Sequence, residues 1–127
     1  MKDLAEKMGL RKVLFLGHVD HDRDLPDLYA CADYYLMTSE YEGLPLTLLE
    51  AMASGLPCIV SDLPNLEIVR DADCGIVVDF TDQTVALADI RDYLKLDRSS
   101  WSWGKRRKYC TTLVRLESYN WALFESI

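Results

Sequence analysis

An α/β fold, with a mainly parallel sheet of about four strands between helical layers, follows from two features of the sequence. Four short apolar runs, at 13–19, 34–38, 58–61 and 76–80, are nearly continuous rather than alternating. Strands covered on both faces have that pattern. Segments of helical periodicity separate the runs, and strand–helix alternation builds β/α units with right-handed crossovers. The 127 residues suffice for one domain. Folding at that size buries roughly 65–70% of the unfolded chain's surface.

Each element has its own signals. Residues 2–8 read as the end of a helix that Gly9 closes. The run 13–19 reads as the first strand. Asp22 or Asp24 suits the cap of the next helix, whose Leu25, Leu28, Tyr29 and Ala32 share a face. After the strand at 34–38, Pro45 fits the first turn of a helix, where its missing N–H costs nothing. Leu46, Leu49, Met52 and Ala53 give that helix an apolar stripe; Ser54-Gly55 ends it and Pro57 blocks its continuation. A third strand at 58–61 leads to a short helix around Leu66, Val69 and Arg70. The strand at 76–80 then leads to a helix over 84–95, capped by Thr81 or Asp82 and carrying Val85, Leu87, Ala88, Ile90 and Leu94. Residues 97–104 read as a turn or linker, 105–114 as a basic helix and 119–124 as an aromatic stretch. The expected organisation is a single domain over 1–127, with a β/α core at 1–98 and C-terminal helices at 99–127.

Net charge is −7, unevenly spread: residues 1–98 carry 9 basic and 19 acidic residues, and residues 99–127 carry 5 and 2. An acidic body argues against general nucleic-acid binding, which needs phosphate-neutralising Lys and Arg. No apolar run approaches the ~20 residues that span a bilayer, and no basic-then-apolar leader begins the chain, so a cytoplasmic protein is expected. Cys31, Cys58, Cys74 and Cys110 form no Cys-x-x-Cys pair and read as buried free thiols, with a disulfide framework as the weaker alternative. No Walker loop, Gly-x-Gly-x-x-Gly or Ser-centred nucleophile elbow is present, so hydrolase and dehydrogenase readings have no motif support.

In open parallel sheets ligands bind beyond the carboxyl ends of the strands. Those ends carry Gly17-His18, Thr38-Ser39 and Ser61-Asp62, and the turn Glu42–Pro45 follows one of them directly. The helix beginning near Pro45 has N–H groups without intrahelical partners, a ready place for an anion. Gly43 brings no side chain between backbone and ligand. Glu42 and Glu50 stand eight residues apart around this start. Acids at both edges suit hydroxyls and bare amides suit phosphates, which together describe a nucleotide-sugar site. A helix cap at Glu42 and a solvated acid at Glu50 would give the same spacing.

The run 42–57 resembles the E-x7-E signature of retaining glycosyltransferases of the GT-B fold, family 4 (group 1). The resemblance extends to Val13-Leu-Phe-Leu-Gly17, Asp27-Leu-Tyr-Ala-Cys-Ala-Asp33, Thr38-Ser39, Ser61-Asp62, Glu67-Ile-Val69 and Gly75-Ile-Val-Val78. In order and spacing these are similar to the Rossmann-like, nucleotide-binding C-terminal domain of that family. The resemblance implies that a nucleotide-diphospho-sugar donates its sugar with retention, without a bound metal or other cofactor. It implies that Glu42, as the catalytic residue, contacts the transferred sugar and that amides around Gly43, Leu44 and Leu46 bind the diphosphate. Glu50 then binds the ribose, and Gly17-His18-Val19 lie near the nucleobase.

The sequence departs from the family in two ways. Gly43-Leu44-Pro45 stands where Gly-Phe-Gly is common. The family's N-terminal acceptor domain, and an earlier β/α pair whose Arg and Lys meet the phosphates, have no counterpart here. Two missing charge-assisted bonds would weaken donor binding by roughly 10²–10⁴-fold. A partner supplying the acceptor domain, or self-association through an open sheet edge, is therefore expected. A non-catalytic nucleotide-binding or assembly module and an inactive remnant are the alternatives. His18, Asp20, His21, Asp22 and Asp24 crowd one loop, which suits either a divalent ion or a solvated turn with a helix cap, and no metal is assigned. Trp101, Trp103 and the basic residues 105–108 suit either peripheral membrane contact or an ordinary basic helix face, with Trp121 and Phe124 as packing residues.

Overall fold

The computed structural model describes residues 2–96. In chain order they form α1 (Lys2–Lys7), α2 (Leu25–Cys31), β1 (Tyr35–Met37), α3 (Leu46–Ala53), β2 (Cys58–Ser61), a 3-10 turn (Pro64–Leu66), α4 (Ile68–Asp71), β3 (Gly75–Val78) and α5 (Gln83–Lys95). The readings for Cys110, for the basic and aromatic segments, and for the tryptophans lie outside the described residues.

The sheet is parallel in the order β1-β2-β3. Tyr35 pairs with Cys58 and Met37 with Val60; on the other side of β2, Cys58 pairs with Gly75 and Ser61 with Val78. All four residues of β2 are buried. Their alternation sends side chains to two separate cores. Cys58 and Val60 join Leu48, Leu49, Ala51 and Met52 of α3 with Leu66 and Val69. Ile59 joins Val78 and Ala86 of α5, with Tyr34, Ile76, Phe80, Ile90 and Tyr93 around them. The Tyr34 and Tyr93 rings meet edge to face at 6.1 Å. The result is three layers, with α3 and α4 on one face and α5 on the other. This is the predicted α/β, Rossmann-like architecture.

Helix ends follow the predicted chemistry with small changes. Gly55 at φ +75° closes α3: its N–H donates to Met52 and that of Leu56 to Ala51, the Schellman pattern. Gly9 at φ +69° closes α1 in the same way, through Glu6 and Ala5. Asp82 caps α5, accepting from the N–H groups of Thr84 and Val85 at 2.9 and 3.2 Å. Thr81 instead donates to Asp79, and those two bonds lower the Asp79 pKa. Pro45 sits one position earlier than predicted, as the extended residue before α3. Ahead of α2 neither expected cap engages: Asp24 makes no side-chain cap, and Asp20 accepts from the N–H groups of Asp22 and Arg23.

Two expectations are corrected. Residues 13–19 form no strand, and the described sheet has three strands, not about four. Val13 and Leu16 are about half exposed and Leu14 is 79% exposed. An apolar run becomes a strand only where a neighbour supplies a hydrogen-bonding ladder, and the described sheet ends at β1. The cysteines are also not uniformly free: Cys31 and Cys58 are, whereas buried Cys74 is disulfide-bonded.

Two substitutions test this packing. A Cβ at Gly75 would overlap the Cys58 carbonyl. Gly75→Ala is expected to lose about 1–3 kcal/mol in urea denaturation, the usual range for overpacking. Asp82→Ala removes two cap bonds and should cost about 1 kcal/mol. For a domain near 100 residues that is a drop of about 4–8 °C in melting temperature.

Candidate functional site

The carboxyl ends of β1 and β2 open onto a polar rim. Ser61 at the end of β2 donates from Oγ to the Met37 carbonyl across the strand ends, at 3.4 Å. Ser39, just past β1, donates to Glu42 Oε1 at 2.9 Å, and Asn65 Nδ2 donates to the Glu42 carbonyl at 3.3 Å. Glu42 is thereby held by its side chain and its backbone, half-buried, immediately before α3.

The start of α3 is open. The Pro45 carbonyl accepts from Leu48 and Leu49, and no side chain caps the helix. Among the described residues no hydrogen bond engages the N–H of Gly43, Leu44 or Leu46. Gly43 is exposed, and a Cβ there would meet nothing within 4 Å. Leu46 is 54% exposed, while Leu44 packs against the main core and anchors the turn.

One turn further on, Glu50 is fixed at both oxygens. Its Oε1 lies 2.7 Å from His21 Nε2, and its Oε2 accepts from the Tyr29 hydroxyl at 3.1 Å. The carboxylate is only 12% exposed. The Tyr29 hydroxyl also lies 3.2 Å from the Thr47 carbonyl, and the Tyr35 hydroxyl pairs with Thr47 Oγ1 at 2.9 Å. Burial, and then the Glu50 charge, raise the Tyr29 pKa. Burial raises that of Tyr35 against the Thr47 hydrogen bond, and the charges of Glu42 and Glu50 both add to the rise. Both phenols therefore stay protonated near neutral pH. Glu42 is held ahead of α3 by Ser39 and Asn65, and Glu50 one turn into it by Tyr29 and His21. Burial pushes the Cys58 thiol up to about 12, which makes it a packing group and not a nucleophile.

The five predicted positions between Glu42 and Glu50 are thus gathered at one helix start. Gly17-His18-Val19 are placed otherwise. They lie in the irregular segment before α2, with Gly17 at φ +72° and His18 exposed, and among the described residues no hydrogen bond joins them to α3. The same segment instead delivers His21. This ring bonds Glu50 through Nε2 and Asp22 through Nδ1, at 3.1 Å, and the Asp22 contact, then Glu50, raise its pKa. Sequence reading placed His21 only within the crowded 18–24 loop. Its contact with Glu50 spans 29 residues and has no signal in spacing. Ser39 as a partner of Glu42 was closer to hand, since a hydroxyl three residues before an acid in a turn is a common local pair. Among the described residues, no three or more His, Cys, Asp or Glu side chains are arranged to hold a metal ion, and no helix is long and apolar enough to cross a membrane.

Comparison with known proteins fits this geometry. Residues 1–110 match the family described as glycosyl transferases group 1. O-antigen chain mannosyltransferase B of Escherichia coli is 38% identical over 112 residues, covering 86% of this chain and 27% of that protein. Mannosylfructose-phosphate synthase of Agrobacterium fabrum (strain C58 / ATCC 33970) is 45% identical over 62 residues, 48% of this chain and 13% of the synthase. N-acetyl-alpha-D-glucosaminyl L-malate synthase of Bacillus anthracis is 35% identical over 98 residues, 76% of this chain and 25% of its own length. The matched stretch is about a quarter or less of each relative. With most of its length inside the family match and a parallel α/β core that carries the helix start between Glu42 and Glu50, the chain belongs to the group 1 glycosyltransferases.

Proposed function

We propose that this chain forms the donor-binding part of a glycosyltransferase that takes a nucleotide-diphospho-sugar and transfers the sugar with retention at the anomeric carbon. The observation that carries the reading is the open start of α3 between two fixed acids. Among the described residues no hydrogen bond engages the N–H groups of Gly43, Leu44 and Leu46, while Ser39 and Asn65 hold Glu42 and Tyr29 and His21 hold Glu50.

The chemistry follows from those positions. A diphosphate at the helix start gains hydrogen bonds and the favourable end of the helix dipole, which together stabilise the charge left as the glycosidic bond breaks. Glu42, held by Ser39 and Asn65, stands ahead of the helix and would meet hydroxyls of the transferred sugar. Glu50 would accept hydrogen bonds from the ribose diol. Gly17-His18-Val19 would lie toward the base once the donor is bound. The names of two relatives specify mannosyl products or transfer and that of the third an N-acetylglucosaminyl product, which supports a hexosyl donor. Transfer would also need an acceptor domain or partner; this chain spans about a quarter or less of those relatives.

Titration calorimetry with UDP, GDP and ADP tests the site. At least one nucleotide is expected to bind; failure of all three at millimolar concentration would overturn the reading. Glu50→Ala should weaken the nucleotide by roughly tenfold or more, as expected for lost hydrogen bonds to a charged group. Glu42→Ala should spare most nucleotide affinity and abolish sugar transfer in an assay supplied with the acceptor partner. Negligible effects from both variants would refute the assigned roles, and binding without transfer would favour an assembly module.

A further inference from the structure

His21 lies outside the residues that the donor reading uses, yet it makes the shortest contact to one of them. Its two ring nitrogens face two carboxylates: Nε2 is 2.7 Å from Glu50 Oε1 and Nδ1 is 3.1 Å from Asp22 Oδ1. A neutral imidazole has one N–H and one lone pair, so it can satisfy only one of these acceptors. The imidazolium satisfies both. The Tyr29 hydroxyl holds the other Glu50 oxygen. An ionised carboxylate has about four acceptor sites. Two are used here, so two remain for the neighbouring hydroxyls of a diol.

We propose that His21 is a proton-dependent positioning residue for Glu50: its imidazolium, bridging Asp22 and Glu50, fixes the carboxylate for a ribose diol, and loss of the proton releases it. This rests on Glu50 being the ribose acid. The groups facing the ring are Asp22 from its own loop and Glu50 from α3. Behind Glu50 stands the phenol of Tyr29 from α2, and the Tyr35 phenol from β1 holds the neighbouring Thr47. Asp20 is turned to the backbone of Asp22 and Arg23, and Arg23 leans toward Asp24 at 3.7 Å. No cation other than His21 contacts Glu50 among the described residues. The ring is 57% exposed, so solvent protons reach it.

The sign is fixed by the geometry. Asp22 and then Glu50 raise the ring's pKa above the ordinary 6.5. The bridge is complete below that value and is lost as pH rises through the raised one. A long Glu side chain held in one rotamer has less entropy left to lose on binding. Proton loss should therefore cost affinity for the diol and leave the diphosphate contacts alone.

The test compares the tightest-binding of UDP, GDP and ADP with its 2′-deoxy counterpart, on the full chain, across pH. The ratio of the two affinities is expected to be highest below pH 6.5 and to fall roughly 2- to 10-fold as His21 deprotonates, the worth of an ordinary hydrogen bond. His21→Ala should give the low ratio at every pH. His21→Gln, which keeps a donor but does not titrate, should restore part of the ratio with a flat profile. If Glu50→Ala keeps the wild-type ratio, the ribose assignment itself fails. If Glu50→Ala collapses the ratio while His21→Ala keeps both ratio and pH profile, the ribose assignment stands and the His21 proposal is overturned. An NMR titration of the His21 ring needs no ligand: its pKa should drop in both Asp22→Asn and Glu50→Gln. An unchanged pKa in both variants would overturn the bridge whatever the nucleotide data show.

Discussion

The burial of β2 on both faces is the constraint from which the rest of this structure follows. Cys58 and Val60 enter one core and Ile59 the other, and they can do so only if a helix covers each side. On one side that helix is α3, which presses Leu48, Leu49, Ala51 and Met52 inward, none more than 1% exposed. Fully burying a Leu or Met side chain is worth about 1.5–3 kcal/mol. Rotating α3 about its axis would forfeit several such contacts at once. The helix therefore has one allowed orientation, and Thr47 and Glu50 are left at its edge, toward α2 and β1.

That orientation explains the polar surroundings of Glu50. A carboxylate that is mostly out of water needs donors. Tyr29 and Tyr35 come from the two elements that precede α3, and burial keeps both phenols protonated. Tyr29 donates to Glu50, and Tyr35 fixes Thr47 beside it. His21 supplies the remaining contact from the loop ahead of α2. At the other end of the turn, Ser39 and Asn65 hold Glu42, so the exposed Gly43 lies between two braced acids. Bracing of this kind lets a site meet its ligand with little reorganisation. The polar residues of the rim and the apolar residues of the core are thus consequences of the same helix placement.

Most elements were legible because their signals are local. Gly9 and Gly55 end helices through a left-handed backbone that glycine adopts without penalty, and Asp82 caps α5 through N–H groups two and three residues on. The turn from Glu42 to Pro45 and the apolar stripe after it locate α3 within one residue. The segment 13–19 was misread because its apolar pattern is the same whether or not a neighbouring strand pairs with it. Pairing is a property of two segments, and the described sheet offers that run no ladder. The cap ahead of α2 was misassigned for a smaller reason. Several aspartates stand in one loop, and which of them turns toward the backbone depends on how the loop is held.

Sequence alone determined the α/β class, three of the strands, the helix start between Glu42 and Glu50, and the family resemblance. All of these rest on periodicity, turn chemistry and motif spacing, which act over a few residues. Tertiary structure decided that the described sheet ends at β1, that Tyr29 and Tyr35 converge on Thr47 and Glu50, and that His21 reaches Glu50 from 29 residues away. Contacts between distant segments are set by how helices pack on the sheet, and packing is fixed by volume and burial in three dimensions rather than by the order of residues along the chain.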